Sequence, residues 1–252
     1  MSILAFEKIH ACGNDFLFFQ QPFPLVHLAA LCDRNAGVGA DGAMLLVDLA
    51  SDQVNLRHWD PDGSESFCLN GTRSSLEFLY RSGRIGPVGK VNCSGRVMDY
   101  EINEFVSLFF APAPAREMIF ENEVVRLKGL FLDVGNPQWV TYPGQIDAVQ
   151  FRTLAPHIRK QHPERPQGCN VNWLGLGEPI VIQTFERGVE NFTKACGSGI
   201  LASAMALSQM TNADQFQFQP EGPDWVRVHK INGFYQLFGP TRWVFSGVYP
   251  CR

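Results

Sequence analysis

Two cysteines, each set just before a run of helix-forming residues, constrain this chain more than any other feature. Cys68 is followed by Leu-Asn-Gly and Cys196 by Gly-Ser-Gly, and each follows a strand-like segment and acidic residues. The two positions lie 128 residues apart in a chain of 252 residues. Unless this short match is a chance one, the spacing predicts a degenerate internal duplication. Each of two similar lobes would then present one thiol at the N-terminus of a helix.

A thiol at a helix N-terminus has a distinctive chemistry. The unpaired N–H groups and the positive end of the helix dipole can stabilise a thiolate, so that its pKa can fall below the usual value of about 8.5. The same N–H groups can bind a carboxylate. Two such thiols on opposite sides of an amino acid could invert its α-carbon by acid–base chemistry, without a metal or pyridoxal phosphate. Taken singly, each cysteine is better explained as a small buried apolar residue, and it is the pairing of the two that favours the chemical interpretation.

Composition and charge narrow the functional classes. The net charge of −4 and the absence of a basic stripe argue against nucleic acid or an anionic membrane as a partner. No segment approaches the roughly 20 apolar residues that span a bilayer, and the N-terminal stretch does not read as a signal peptide. Seven widely spaced cysteines do not suggest a disulfide framework. We therefore expect a cytoplasmic protein.

Short segments rich in β-branched and aromatic residues dominate the chain, whereas helical periodicity is rare. This balance predicts an α+β fold. The strand-like segments are 43–50, 55–60, 105–110, 129–134, 180–186, 226–230 and 241–248. The helix-like segments are 24–34, 73–81, 149–160 and 198–210.

An alternating Ala-Pro stretch at 111–117 predicts a stiff linker near the middle of the chain. We expect the first lobe to span 1–112 and the second to span 113–240. The last strand, about 241–252, is expected to return to the first lobe.

Six blocks of the sequence, in order, resemble the diaminopimelate epimerase family. The resemblance implies two pseudo-symmetric α+β lobes, each a strand barrel around a central helix, with the active site in the cleft between them. It also implies a small amino-acid substrate, no cofactor, no metal and a homodimer. The blocks are FEKIHACGNDFLFF (6–19), NAGVGADGAMLL (35–46), DPDGSESFCLNGTR (60–73), DVGNPQ (133–138), GCNVNW (168–173) and ERGVENFTKACGSG (186–199).

The resemblance also assigns site residues. Cys68 and Cys196 match the family's two acid–base thiols. The positions whose backbone N–H groups would bind the reacting carboxylate are Leu69, Asn70, Gly197 and Ser198. The positions that would grip the distal end of the substrate are Asn14, Asp60, Asn136, Asn170, Glu186 and Arg187.

Four positions depart from the family's pattern. Asp60 stands where the family usually has asparagine, and Leu69 replaces the glycine usual after the first cysteine. Gln138 replaces a histidine, and Phe192 falls where a glutamate is common. These changes leave both thiols in place and keep open a second hypothesis, a substrate other than diaminopimelate.

The remaining signals have structural explanations. GVGADG (37–42) fits a dinucleotide pattern, but a helix-like segment precedes it and a strand-like one follows, the reverse of the order such a site needs. Lys8 and Asp15 are expected to fix an N-terminal hairpin. Arg73 is expected to pair with Glu77 one helical turn later.

Three hypotheses follow. The first is an epimerase that interconverts LL- and meso-diaminopimelate for lysine and peptidoglycan synthesis. The second is a racemase of the same fold for another amino acid, such as histidine. The third is a non-catalytic thiol switch or binding protein whose cysteines pair on oxidation.

Overall fold

The computed structural model describes residues 2–49, 53–160 and 167–251 of the chain. The chain forms two compact units, one of Met1–Phe109 with Phe238–Arg252 and the other of Phe110–Leu237. Strands outnumber helices in both, which confirms the predicted α+β class.

The first unit is built mainly from strands around one long helix. Its elements are β1 (Ser2–Ala11), β2 (Asn14–Phe19), α1 (Leu28–Cys32), β3 (Gly42–Leu49), β4 (Gln53–Trp59), α2 (Leu69–Arg81), β5 (Val88–Cys93), β6 (Arg96–Ile102), β7 (Val106–Phe110) and the returning strand β17 (Thr241–Cys251).

The second unit follows the same plan. Its elements are β8 (Ala115–Glu121), β9 (Arg126–Asp133), β10 (Pro137–Thr141), α3 (Ala148–Lys160), β11 (Asn170–Gly175), β12 (Ile180–Glu186), β13 (Asn191–Thr193), α4 (Gly197–Thr211), β14 (Gln215–Gln219), β15 (Val226–Ile231) and β16 (Phe234–Phe238).

The order of strand pairs within the first unit is repeated within the second, as an internal duplication predicts. Each unit has six consecutive strand pairs, of which the third and the fifth are parallel and the other four are antiparallel. In the first unit these pairs are β17–β1, β1–β2, β2–β3, β3–β4, β4–β5 and β5–β6. In the second unit they are β8–β9, β9–β10, β10–β11, β11–β12, β12–β14 and β14–β15. Chance similarity of two short motifs does not explain a match over six consecutive pairs.

One helix in each unit is almost wholly buried by the strands. Ten of the thirteen residues of α2 are buried, and so are twelve of the fifteen residues of α4. Helix α2 contacts β1, β2, β3 and β17, while α4 contacts β9, β10, β11 and β15. Glycine, alanine and serine make up more than half of α4 and allow the strands to approach its backbone. This arrangement agrees with the expected central helix in each lobe.

The structure moves several predicted boundaries. Helix α2 begins at Leu69 rather than at 73, because Cys68 already caps it. The predicted linker 111–117 is wrong in its last part, since β8 begins at Ala115. Ala115 follows the second of two prolines, which have no backbone N–H, and it can donate a hydrogen bond to a neighbouring strand. The segment 24–34 forms only a short 3-10 turn and α1.

Arg73 has a different partner from the one that helical spacing predicts. Its side chain is fully buried, and Nη1 donates to the carbonyl of Gly239 at 2.8 Å, while Nη2 lies 3.4 Å from Oδ1 of Asn70. Glu77 instead accepts a hydrogen bond from Arg81. Side chains on a helix lean toward its N-terminus, so Arg73 reaches back to Asn70 and Arg81 reaches back to Glu77.

We predict that Arg73→Met lowers the free energy of unfolding by about 3 kcal/mol, because it leaves a buried carbonyl and a buried amide without their donor. Arg81→Met, in the same helix but with an exposed arginine, should cost less than about 1 kcal/mol. Urea denaturation of both variants measures the difference. Equal losses in the two variants would contradict this role for Arg73.

Candidate functional site

Cys68 and Cys196 occupy equivalent positions, each as the N-terminal cap of the buried helix of its unit. Both have extended backbone angles, φ −131° and ψ 113° at Cys68 and φ −108° and ψ 105° at Cys196. Each Sγ accepts the backbone N–H three residues later, from Gly71 and from Gly199, at 3.4 Å. The sulfur thus does what a serine or aspartate oxygen does in an ordinary helix cap.

The glycine three residues after each cysteine is required by packing. A Cβ at Gly71 would lie 2.5 Å from Sδ of Met44, and one at Gly199 would lie 2.3 Å from Oδ1 of Asn172. A larger residue at either position would force Met44 or Asn172, or the first turn of the helix, to shift. The repeated Cys-x-x-Gly spacing is therefore a structural signature as well as a chemical one.

Four polar groups surround the sulfur of Cys196. Besides the N–H of Gly199, the hydroxyl of Ser198 lies 3.5 Å from Sγ and Nδ2 of Asn170 lies 3.9 Å from it. The carboxylate of Glu186 is close enough to raise the pKa of the thiol. Three of these groups were assigned to substrate binding from sequence, and here they also contact the thiol.

The expected fall in thiol pKa does not hold at Cys196. Burial raises the pKa of this thiol well above its ordinary value, and the Glu186 carboxylate raises it further. The hydrogen bonds from Ser198 and Gly199 lower the pKa but do not offset these effects. Cys196 therefore carries its proton at neutral pH.

In the first unit, a directed chain of hydrogen bonds positions two of the predicted binding residues. Nη2 of Arg73 lies beside Oδ1 of Asn70, Nδ2 of Asn70 donates to Oδ1 of Asn14 at 3.1 Å, and Nδ2 of Asn14 donates to Oδ2 of Asp41 at 2.9 Å. A guanidinium can only donate and a carboxylate can only accept, so the two ends fix both amides.

An ionic cluster anchors that chain to the N-terminal hairpin. Arg34 contacts Asp41 and Asp15 at 2.6 Å, and Lys8 contacts Asp15 at 2.6 Å. Burial alone would raise the pKa of Asp15, but the hydrogen bonds from Arg34 and Lys8 lower it to about 2. The expectation that Lys8 and Asp15 fix the hairpin is thereby confirmed.

The predicted residues of the second unit gather around the start of α4. Nδ2 of Asn136 lies 3.4 Å from Oγ of Ser198, and Oδ1 of Asn170 accepts the backbone N–H of Arg187 at 2.8 Å. Glu186 also accepts a hydrogen bond from Thr193. Gly197 and Ser198 form the first turn, where backbone N–H groups have no acceptor within the helix.

The departures from the family's pattern have distinct structural settings. The side chain of Leu69 is buried, and Asp60 lies half-buried in the turn after β4, where its backbone N–H donates to Ser64. Phe192 packs edge-on against Phe151 and Phe185. Phe192 is partly buried and packs against the hydrophobic core of the second unit.

Sequence reasoning missed a buried polar network behind Ser198. Gln138, Asn172 and Thr184 are almost fully buried and are joined by hydrogen bonds to one another and to Ser198. The signal was the placement of polar residues within apolar strands, with Asn170 and Asn172 two residues apart and hence on one face of β11.

The described residues contain neither a metal-binding cluster nor a membrane-spanning helix. No group of three or more His, Cys, Asp or Glu side chains there is arranged to hold a metal ion. Within the same ranges, no helix combines the length and the apolar composition that crossing a membrane would require.

Several known proteins are similar to this chain over most of its length. A diaminopimelate epimerase of Methanothrix thermoacetophila is 32% identical, over 83% of each chain. One of Chlorobaculum tepidum is 31% identical, over 93% of this chain and 97% of the relative. One of Methanocella arvoryzae is 29% identical, over 98% and 97%. No protein-family model matches the chain.

Solved structures share the fold at much lower identity. A phenazine biosynthesis protein of the PhzF family from Bacillus anthracis superposes with a TM-score of 0.72 at 12% identity, covering 100% of both chains. A hydroxyproline epimerase from Agrobacterium vitis, with bound trans-4-OH-L-proline, gives a TM-score of 0.72 at 14% identity, covering 98% of this chain and 92% of its own. Identities this low support the fold alone.

Proposed function

The chain belongs to the diaminopimelate epimerase family, and we propose that it interconverts LL- and meso-diaminopimelate by moving protons between two thiols. It is an isomerase of the epimerase and racemase class. In a cytoplasmic setting the product would supply lysine and peptidoglycan synthesis. The observation that supports the mechanism most directly is the matched capping of two buried helices by Cys68 and Cys196.

In this mechanism one thiolate removes the hydrogen of the α-carbon as a proton. The electron pair of the broken C–H bond moves toward the substrate carboxylate. The other thiol then delivers its proton to the opposite face and is left as a thiolate. Because the carbon acid is weak, the growing negative charge must be stabilised, and the N–H groups of Leu69, Asn70, Gly197 and Ser198 are suited to that role.

The protonation of Cys196 favours one starting state. Burial and the neighbouring Glu186 raise the pKa of Cys196, so we propose that this residue begins as the proton donor. The two-thiol mechanism then assigns the role of base to the other cysteine, Cys68. A substrate ammonium group bound at Glu186 would neutralise that carboxylate. Cys196 would then form its thiolate more easily once substrate is present.

Polar side chains of the second unit are suited to the distal end of the substrate. The planar guanidinium of Arg187 suits a carboxylate, and the glutamate and amide oxygens suit an ammonium group. Asn170 receives the backbone N–H of Arg187 and also lies beside the sulfur of Cys196. We propose that it links the binding of the distal end to the position of the reacting thiol.

We predict that Cys68→Ser and Cys196→Ser each lower kcat for epimerisation by at least about a thousandfold, because a serine hydroxyl is a far weaker acid than a thiol. Release of the α-hydrogen into deuterated water, followed by mass spectrometry, measures the rate.

Cys32→Ala is the matched control. Cys32 is buried, burial raises its pKa to about 11, and it lies outside the helix caps, so its replacement should leave kcat within about twofold. If either serine variant kept its full rate, two-thiol catalysis would be excluded. The third hypothesis, a non-catalytic thiol switch, predicts instead that the wild-type protein itself releases no α-hydrogen.

A second candidate function is racemisation of another polar amino acid. The half-buried carboxylate of Asp60 at a position where the family has an amide is the observation that favours it. We predict that wild-type protein exchanges the α-hydrogen of diaminopimelate faster than that of histidine, lysine, glutamate or proline. A faster rate for any competitor would replace diaminopimelate as the substrate while keeping the mechanism.

We also propose that two copies of the chain associate through β17. Trp243, Val244, Phe245 and Val248 of this strand expose between 43% and 67% of their surfaces. Apolar side chains exposed on both faces of one strand are typical of a surface that another chain covers.

We predict that the wild-type protein is a dimer by light scattering and that Val248→Lys shifts it toward a monomer, because the interface would have to bury a charge. Val97→Lys, at an exposed valine of β6, serves as the control and should leave the mass unchanged. A monomeric wild-type protein, or an equal shift in both variants, would refute association through β17.

A further inference from the structure

We propose that Gln138 is a positioning residue that makes the hydroxyl of Ser198 donate its hydrogen to the sulfur of Cys196 and so stabilises the thiolate. This inference rests on the proposed acid–base role of Cys196. Gln138 itself touches neither the sulfur nor, in this proposal, the substrate.

The contacts form one continuous chain within the second unit. The hydroxyl of Thr184 lies 2.8 Å from Oδ1 of Asn172, and Nδ2 of Asn172 lies 2.9 Å from Oε1 of Gln138. Nε2 of Gln138 lies 3.0 Å from Oγ of Ser198, which lies 3.5 Å from Sγ of Cys196.

One backbone carbonyl fixes the direction of this chain. The carbonyl oxygen of Trp139 lies 3.2 Å from Nδ2 of Asn172, and because a carbonyl can only accept, the amide nitrogen must face it. Asn172 therefore turns its oxygen toward Thr184 and its nitrogen toward Gln138. The oxygen of Gln138 must then accept the hydrogen bond from Asn172, so its amide nitrogen faces Ser198.

Ser198 can consequently send its hydrogen in one direction only. A hydroxyl has one donor and two acceptor positions. Nε2 of Gln138 and Nδ2 of Asn136, at 3.0 Å and 3.4 Å, fill the two acceptor positions of Ser198. The remaining hydrogen points to the sulfur of Cys196.

The same argument fixes a second donor on that sulfur. The backbone N–H of Arg187 donates to Oδ1 of Asn170, so Nδ2 of Asn170 must be the group that faces Cys196. With the N–H of Gly199, three donors face the sulfur, and the Glu186 carboxylate is the acceptor beside it. The three donors favour a thiolate, whereas the carboxylate and burial favour the protonated thiol.

Burial gives this arrangement its strength. Gln138 and Asn172 are fully buried, and Thr184 and Ser198 are at most 5% exposed. Hydrogen bonds in such surroundings are stronger than in water, and a reversed amide would leave a donor facing a donor. Because burial and the Glu186 carboxylate both raise the pKa of Cys196, the three donors are what make its thiolate attainable during the catalytic cycle.

The test compares Gln138→Met with Ser198→Ala. Ser198→Ala removes the hydroxyl hydrogen, and Gln138→Met removes the amide donor that directs it, while Asn172 keeps the Trp139 carbonyl as its acceptor. In a Cys68→Ser background, the rate at which iodoacetamide alkylates Cys196 is measured against pH by peptide mass spectrometry. We expect each variant to alkylate about tenfold more slowly at pH 8, since the thiolate fraction follows the lost hydrogen bond.

The double variant separates positioning from general damage. If Gln138 acts through Ser198, the double variant should be alkylated at the same rate as Ser198→Ala alone. Thr141→Val, at a fully buried hydroxyl of the same strand β10, is the control and should leave the pH profile unchanged. Additive losses, or an unchanged profile in Gln138→Met, would overturn the proposal.

Two safeguards keep the result interpretable. Thermal unfolding shows whether each variant folds, and if Gln138→Met does not, an unchanged alkylation profile in Ser198→Ala alone overturns the proposal. Alkylation does not depend on turnover, so the network can be tested even if diaminopimelate is not the substrate. Epimerisation by the Cys68-containing variants then tests the proposed function separately.

Discussion

The satisfaction of the first-turn N–H groups of two buried helices is the constraint on which the rest depends. A helix end without acceptors is costly inside a protein. Cys68 and Cys196 each provide a sulfur acceptor for the N–H of the glycine three residues later. The same geometry places each thiol beside backbone donors that suit an anion, so helix capping and the proposed chemistry share one arrangement.

The two units solve this problem with the same topology but surround their thiols differently. In the first unit the polar chain runs from Arg73 through Asn70 to Asn14 and ends on the carboxylate of Asp41. In the second it runs from Thr184 and ends at the sulfur of Cys196. A duplicated fold thus surrounds its two thiols with different polar networks.

The sequence-based predictions that were wrong concern contacts and burial that depend on the tertiary structure. Helical spacing predicts that Arg73 pairs with Glu77. Because helical side chains lean toward the N-terminus and α2 is buried, Arg73 instead contacts Asn70 and Gly239. The N-terminus of a helix suggested a lowered thiol pKa, but burial outweighs it at Cys196. From the sequence, Gln138 is only a position where the family has a histidine. Its hydrogen-bonding partners cannot be predicted, because Asn172 and Ser198 lie 34 and 60 residues away in the chain.

The sequence by itself determined the α+β class, the repeat of two cysteine-capped helices and the resemblance to the family. These follow from local features: residue periodicity, a cysteine followed three residues later by glycine, and six ordered motifs. Only the tertiary structure decided which amide faces which hydroxyl and how deeply each thiol is buried. Those properties arise from strands distant in the chain, and one backbone carbonyl, that of Trp139, fixes the direction of the network that ends at Cys196.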